Sequence, residues 1–106
     1  MTVAELHTRR ATVREDLAAN RRHVVGELRK PAPEIANLPI GDLLCWCDGL
    51  DEAAVTCVLT ASEINWGRPT RLLTAKDQAM LCFQIKAREP ETWERWKAGL
   101  RERRAA

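Results

Sequence analysis

Two short segments interrupt this chain, and the stretches between them have the pattern of helices. The segment "KPAPEIANLP" (30–39) carries three prolines, and "NWGRP" (65–69) carries Gly67 and Pro69. A proline ring fixes one backbone dihedral and removes an N–H donor, so both segments are connectors. Elsewhere, branched and aromatic residues never alternate with polar ones over a strand's length, and no hairpin signal occurs. The sequence therefore predicts an all-α fold.

We predict one helical domain over residues 1–106, in three parts. The first part is a long basic N-terminal helix over 3–29, and the second is a compact core over 39–87. The third is a helix over 90–104 added at the C-terminus. The first helix is indicated by apolar residues that recur on one stripe at 100° per residue: Leu6, Val13, Leu17, Val24 and Leu28.

Three shorter helices are expected within the core, over 39–47, 52–63 and 75–87. Asp51 is a typical N-cap for the second of these helices. Thr74 and Asp77 form a variant of the capping box at the third. The apolar side of that helix is expected to consist of Met80, Leu81, Phe83 and Ile85. In the C-terminal helix, Trp93, Trp96 and Leu100 share one stripe, which favours packing anchors over a platform for stacking bases.

Charge is distributed unevenly along the chain. The net charge of the 106 residues is only +2, but residues 1–30 sum to +3, residues 31–64 to −6 and residues 65–106 to +5. Such segregation is typical of a polarised surface whose basic ends meet a polyanion. The arginines of the first helix admit two interpretations, either solvated charges on a surface helix or a basic edge that follows phosphates.

The four cysteines have no spacing typical of a metal site. Cys45, Cys47, Cys57 and Cys82 lack the paired C-x2–4-C turns of structural zinc sites. Each lies beside apolar residues, where a free cysteine packs as a small hydrophobe. We therefore expect buried thiols, with zinc ligation and a disulfide as the alternatives.

Catalytic and membrane motifs are missing from the sequence. His7 and His23 both lie on the first predicted helix, far in sequence from any cysteine, and no phosphate-binding glycine loop or nucleophile elbow occurs. We therefore expect no enzyme and no cofactor. No run of 18 apolar residues and no N-terminal h-region occurs, which predicts neither a membrane span nor a secretory signal and favours the cytoplasm.

Residues 40–73 carry a recognisable pattern of apolar, glycine and arginine positions. In order, they are Ile40, Leu43, Leu44, Gly49-Leu50, Ala53 or Ala54, Val58-Leu59, Ile64 and Arg68-x-x-Arg71-x-Leu73. This pattern resembles the core of the actinobacterial integration host factors, a family of small nucleoid-associated proteins with a helix–two-turns–helix outline. The long N-terminal helix also corresponds to that family.

The resemblance implies a monomeric, non-enzymatic protein of the nucleoid that binds duplex DNA through backbone phosphates and bends or compacts it. Gly49 would approach a phosphate with the amides of its turn, and Arg68 and Arg71 would contact the DNA backbone. The arginines of the first helix would extend this footprint, with the last helix as an additional contributor: Arg10, Arg14, Arg21 and Arg22, then Arg101, Arg103 and Arg104.

The chain departs from the family at the first turn. The family has Gly-Lys there, whereas this chain has Asp51-Glu52, and two carboxylates at a helix N-terminus repel phosphate. This departure favours an alternative function. In that alternative, the protein is a helical interaction module derived from the same fold that has lost much of its DNA binding and engages a protein such as a recombinase.

Overall fold

The computed structural model describes the backbone of residues 2–105 and the side chains of residues 2–99. Helices dominate this range, which contains no strand, and the predicted all-α fold is confirmed. A single hydrophobic core takes residues from every helix. The helices are α1 (Val3–Ala18), α2 (Val24–Arg29), α3 (Ile40–Cys45), α4 (Glu52–Ala61), α5 (Ala75–Arg88) and α6 (Pro90–Ala105), and a short 3₁₀ turn covers Thr70–Leu72.

The continuous helix expected over 3–29 is wrong, because the chain turns between α1 and α2. Asn20 adopts a left-handed conformation with φ of 57°, and the Arg21 N–H donates to the Asp16 carbonyl (N···O 2.8 Å), which closes α1. His23 then begins α2, since its Nδ1 accepts from the Val25 N–H (3.1 Å). The predicted apolar stripe is still buried, but two short helices supply it.

The two proline-containing connectors pair with each other. The Ile40 N–H donates to the Arg68 carbonyl (2.9 Å), and the Arg71 N–H donates to the Ala36 carbonyl (2.9 Å). Between these bonds, the buried Thr70 donates to the Leu38 carbonyl from both its backbone N–H (3.0 Å) and its Oγ1 (2.8 Å). This pairing satisfies backbone groups that the helices leave without partners, and it fixes the loop that carries Arg71.

The predicted caps of α4 and α5 are present. The Asp51 carboxylate accepts from the Ala54 N–H (2.8 Å). Thr74 and Asp77 form a complete capping box, with each side chain accepting from the other residue's backbone N–H. Leu81 and Ile85 are fully buried, but Phe83 is 63% exposed. Its expected place on the apolar side of α5 is therefore wrong.

Helix α6 packs against the turns of the preceding helices. Trp93 and Trp96 are buried, which confirms their interpretation as packing anchors. The Trp96 Nε1 donates to the Asp48 carbonyl in the α3–α4 turn (2.7 Å). At Gly99, the α6 backbone approaches Asn20 so closely that a Cβ there would lie 2.8 Å from the Cβ of Asn20. The added helix is thus an integral part of the fold.

The four thiols are all free and differ in exposure. Cys47 is buried, Cys45 and Cys82 are partly buried, and Cys57 is exposed. The expectation of buried thiols is therefore confirmed for Cys47 and wrong for Cys57. No helix within the described residues has the length and apolar character needed to cross a membrane.

Candidate nucleic-acid interface

Three basic side chains lie on one face of α1. His7, Arg10 and Arg14 are three and four residues apart, and this spacing places side chains above one another on a helix. Together with Ala11 and the partly buried Trp46, they line a groove of about 310 Å³ between α1 and the end of α3. Basic groups beside an aromatic ring are the combination by which proteins contact the backbone and bases of nucleic acids.

Arg10 and Arg71 are attached to the same short turn of the chain, residues 34–37. The Arg10 Nε donates to the Glu34 carbonyl (2.7 Å), and the Arg71 Nε donates to the Asn37 Oδ1 (2.8 Å). The turn is itself fixed, because Ile35 within it is fully buried. Two arginines that are 61 positions apart in sequence are thereby attached to one turn of four residues.

The terminal nitrogens of these two arginines have no protein partner among the described residues. Only Nε of Arg10 and Arg71 is used, so both Nη atoms of each guanidinium remain available. No carboxylate of the described side chains lies within 4 Å of Arg10, Arg14 or Arg71. A guanidinium that is oriented through Nε presents its remaining donors in a fixed fork that matches a phosphate.

Arg68, by contrast, is engaged inside the protein. Its Nη1 lies 3.1 Å from the Asp77 Oδ2, and its Nη2 donates to the Leu72 carbonyl (3.2 Å). The Thr74 backbone N–H, assisted by its hydroxyl and by the Arg68 charge, holds the pKa of Asp77 below its ordinary value. Arg68 therefore secures the start of α5 and supplies fewer free donors than Arg71.

Arg21 and Arg22 lie at the break between α1 and α2, next to acidic residues. Arg22 bridges Asp16 (3.0 Å) and Glu27 (2.9 Å), and Arg21 pairs with the other oxygen of Asp16 (3.0 Å). Burial raises the pKa of Asp16, but the hydrogen bonds and charges of the two arginines outweigh it, and the net shift is downward. Arg21 and Arg22 therefore differ from Arg10 and Arg14 in that carboxylates within the fold balance their charge.

Gly49 lies in the α3–α4 turn, where α6 fills the space beside it. Its φ of +83° is one that L-residues rarely adopt, and a Cβ at this position would meet Thr92 and Arg95. The adjacent Asp48 Oδ2 accepts from the Arg95 Nε (2.7 Å) and the Asn20 Nδ2 (3.1 Å). The side chains around this turn therefore make contacts within the protein, which does not favour the phosphate contact that the resemblance implies at Gly49.

Sequence reasoning missed three residues that lie next to Arg10, Arg14 or Arg71, which are His7, Asn37 and Trp46. The helical spacing of His7 from Arg10 is visible in the sequence and was sufficient to include it. Asn37 and Trp46 belong to other segments, and only the fold brings them to Arg71 and α1. The predicted contributions of Arg101, Arg103 and Arg104 fall outside the described side chains. Within the described residues, no three histidine, cysteine or acidic side chains are grouped as metal ligands.

Comparison with known proteins gave no match, since no protein-family model, no curated protein and no solved structure is similar to this chain. The resemblance to integration host factors therefore stays a prediction from the sequence.

Proposed function

We propose that this protein is a non-enzymatic DNA-binding protein of the nucleoid. It contacts the backbone phosphates of duplex DNA through Arg10, Arg14 and Arg71 and bends or compacts the duplex. The observation that carries the proposal is the shared attachment of Arg10 and Arg71 to the turn 34–37, with their Nη atoms left unpaired. We refer to Arg10, Arg14 and Arg71 as the arginine surface.

The physical basis is the match between an oriented guanidinium and a phosphate. Arginine is always charged and donates from a planar fork, so two of its N–H groups reach two phosphate oxygens. Fixing the fork in advance lowers the entropy that binding removes from the side chain. Contacts of this kind carry no sequence information, and we therefore expect affinity for any duplex rather than for one site.

The test is the affinity of a labelled random-sequence duplex, followed by fluorescence anisotropy at low salt. Arg10→Ala and Arg71→Ala should each weaken binding by about 1 kcal/mol or more, or about fivefold. Arg88→Ala is the matched control, because Arg88 is exposed and lines a separate groove beside Asp51. Equal losses for Arg71→Ala and Arg88→Ala would show that only net charge matters and would contradict the proposed surface.

A second candidate function is a helical interaction module for a protein partner, and one observation favours it. Phe83 is 63% exposed on α5 and has Ala79, Met80 and Ala87 at helical-neighbour positions. An exposed aromatic ring with apolar neighbours is typical of contact surfaces between proteins. Light scattering after size exclusion, with wild type and Phe83→Ser, tests the case in which the partner is a second copy. A concentration-dependent dimer that Phe83→Ser abolishes would support it.

A further inference from the structure

A cavity of about 500 Å³ lies between α2 and α5, away from the arginine surface. Its walls are apolar and its rim is basic. The lining residues are Val25, Leu28, Arg29, Ala75, Gln78, Ala79, Cys82, Lys86 and Trp93. We call it the α2–α5 cavity. Small organic ligands are bound in cavities of about 300–1,000 Å³ that are mostly apolar and carry a few polar groups.

The charged groups at this cavity are all of one sign. Arg29 ends α2, Lys86 belongs to the last turn of α5, and no acidic side chain lines the cavity. Neither cation has a carboxylate of the described side chains within 4 Å. Two unpaired cations at an apolar cavity create a positive potential, and the low-dielectric walls strengthen it for an anion that enters.

The walls of the cavity are held in place by contacts from three helices. The Gln78 Nε2 donates to the Leu28 carbonyl (2.9 Å), which ties α5 to the end of α2. The Trp93 ring packs against the His23 ring in a T-shaped arrangement, with ring centroids 5.0 Å apart. The Lys86 Nζ lies over the Trp93 ring, 4.7 Å from its centroid. The ammonium group is therefore located at the cavity by its contact with the indole.

The geometry points to a binding site for a small amphiphilic anion, a carboxylate with an unbranched apolar chain. The apolar chain of this ligand lies against Val25, Leu28 and Ala79, and its carboxylate lies between Arg29 and Lys86. This inference goes beyond the proposed DNA binding and does not depend on it, because the cavity and the arginine surface share no residue. The apolar walls favour this ligand over a bare phosphate, because a phosphate has no apolar chain whose burial would add to its affinity.

The partly buried Cys82 also lines the cavity, close to both cations. Burial raises the pKa of its thiol, and the charges of Lys86 and Arg29 oppose that rise. Since burial of each methylene of a ligand is favourable, an apolar chain of several carbons adds the affinity that the exposed charges alone lack.

The probe for the test is octanoate, titrated by calorimetry at concentrations where it remains monomeric. We expect saturable binding with one site per chain, and no binding of octylammonium, which has the same chain and the opposite charge. Arg29→Gln and Lys86→Gln should each weaken octanoate binding about fivefold. The matched control is Lys76→Gln, since Lys76 is an exposed cation of α5 that does not line the cavity.

A steric variant tests the location separately from the charge. Ala79 is exposed at the cavity, so Ala79→Trp should fill the space and abolish octanoate binding while the circular dichroism spectrum and Tm stay those of the wild type. Adding random duplex DNA first should leave octanoate affinity unchanged, whether or not the duplex itself binds. Lack of saturable octanoate binding, equal binding of octylammonium, or equal losses in Lys76→Gln and Lys86→Gln would overturn the inference.

Discussion

Asp48 is the residue on which three separated parts of the chain meet. Its carboxylate accepts from Asn20 in the α1–α2 turn and from Arg95 in α6, and its carbonyl accepts from the Trp96 indole. Burial raises the pKa of Asp48, but the hydrogen bonds from Asn20 and Arg95 and the Arg95 charge outweigh it and lower the pKa overall. A carboxylate with a lowered pKa stabilises the fold above its ordinary pKa, and that contribution is lost as the pH falls through the folded-state value.

The neighbouring Gly49 should tolerate no side chain. Gly49→Ala forces an L-residue to a φ of +83° and drives its Cβ towards Thr92. We expect the free energy of unfolding to fall by about 1–3 kcal/mol, measured by urea denaturation. The matched control is Gly26→Ala, where α2 leaves nothing within 4 Å of the added Cβ. That substitution should stabilise the protein by about 0.5–1 kcal/mol, and a loss in Gly26→Ala as large as in Gly49→Ala would contradict this explanation.

His23 should make stability depend on pH. Burial, and then the charge of Lys86, lower its pKa below the ordinary value, and its Nδ1 must stay unprotonated to accept from the Val25 N–H. Below the unfolded-state pKa of about 6.5, the unfolded chain binds a proton that the folded protein does not. The free energy of unfolding should therefore decrease as the pH falls below that value, by less than about 1.4 kcal/mol per pH unit.

The variant that checks this is His23→Asn, which keeps an N-cap acceptor and removes the titrating ring. Urea denaturation between pH 7.5 and pH 5 should show a shallower pH dependence for His23→Asn than for the wild type. Identical slopes for His23→Asn and the wild type would show that His23 does not cause the pH dependence.

At the scale of elements, local signals were readable from the sequence and non-local contacts were not. The capping box of Thr74 and Asp77 uses residues three apart, so the start of α5 was predicted correctly. The break after α1 was missed because neither glycine nor proline marks it. The contacts around the left-handed Asn20 come from distant residues. Its side-chain amide donates to Asp48, which is 28 positions away, and Gly99, which is 79 positions away, packs against it.

The candidate site shows the same division between local and distant information. Arg10, Arg14 and Arg71 were identified from charge and resemblance, and the spacing of Arg10 and Arg14 on one helix face followed from periodicity. The pairing of the connectors was not predictable, since it joins residues 36–40 to residues 68–71. Of the two arginines in this loop, Arg71 is exposed. Only the fold shows that Arg68 is instead bound to Asp77.

Helix α6 should be a large contributor to stability through Trp96. Trp96→Phe keeps a ring in the core but removes the indole N–H, which leaves the Asp48 carbonyl without this donor. We expect a loss of about 1–3 kcal/mol in the free energy of unfolding. Trp66→Phe is the control, because its indole donates to the exposed Asp42 carboxylate (3.1 Å), which water can solvate instead. A larger loss in Trp66→Phe than in Trp96→Phe would contradict the assigned role of α6.

At the scale of the whole molecule, the acidic side chains of residues 31–64 serve mainly as hydrogen-bond acceptors, and among the described residues one of them, Asp48, forms an ion pair. Asp42 accepts from Trp66, Asp48 from Asn20 and Arg95, and Asp51 from the α4 backbone. The radius of gyration is 13.3 Å, close to the value of about 13 Å for a compact domain of this size. In so small a body, the Asp48–Arg95 pair offsets one negative charge, and the remaining carboxylates of this segment still repel a DNA phosphate that approaches them.

The central claim is that the arginine surface binds duplex DNA by contacting its backbone phosphates. The most direct measurement is the dependence of log K on log[salt] for a random duplex, comparing the wild type with Arg10→Ala/Arg14→Ala/Arg71→Ala. Each lost phosphate contact should reduce the magnitude of the slope by about 0.9. We predict a steep negative slope for the wild type and one shallower by about 2–3 for the triple variant. Equal slopes, or no wild-type binding even at low salt, would contradict the claim.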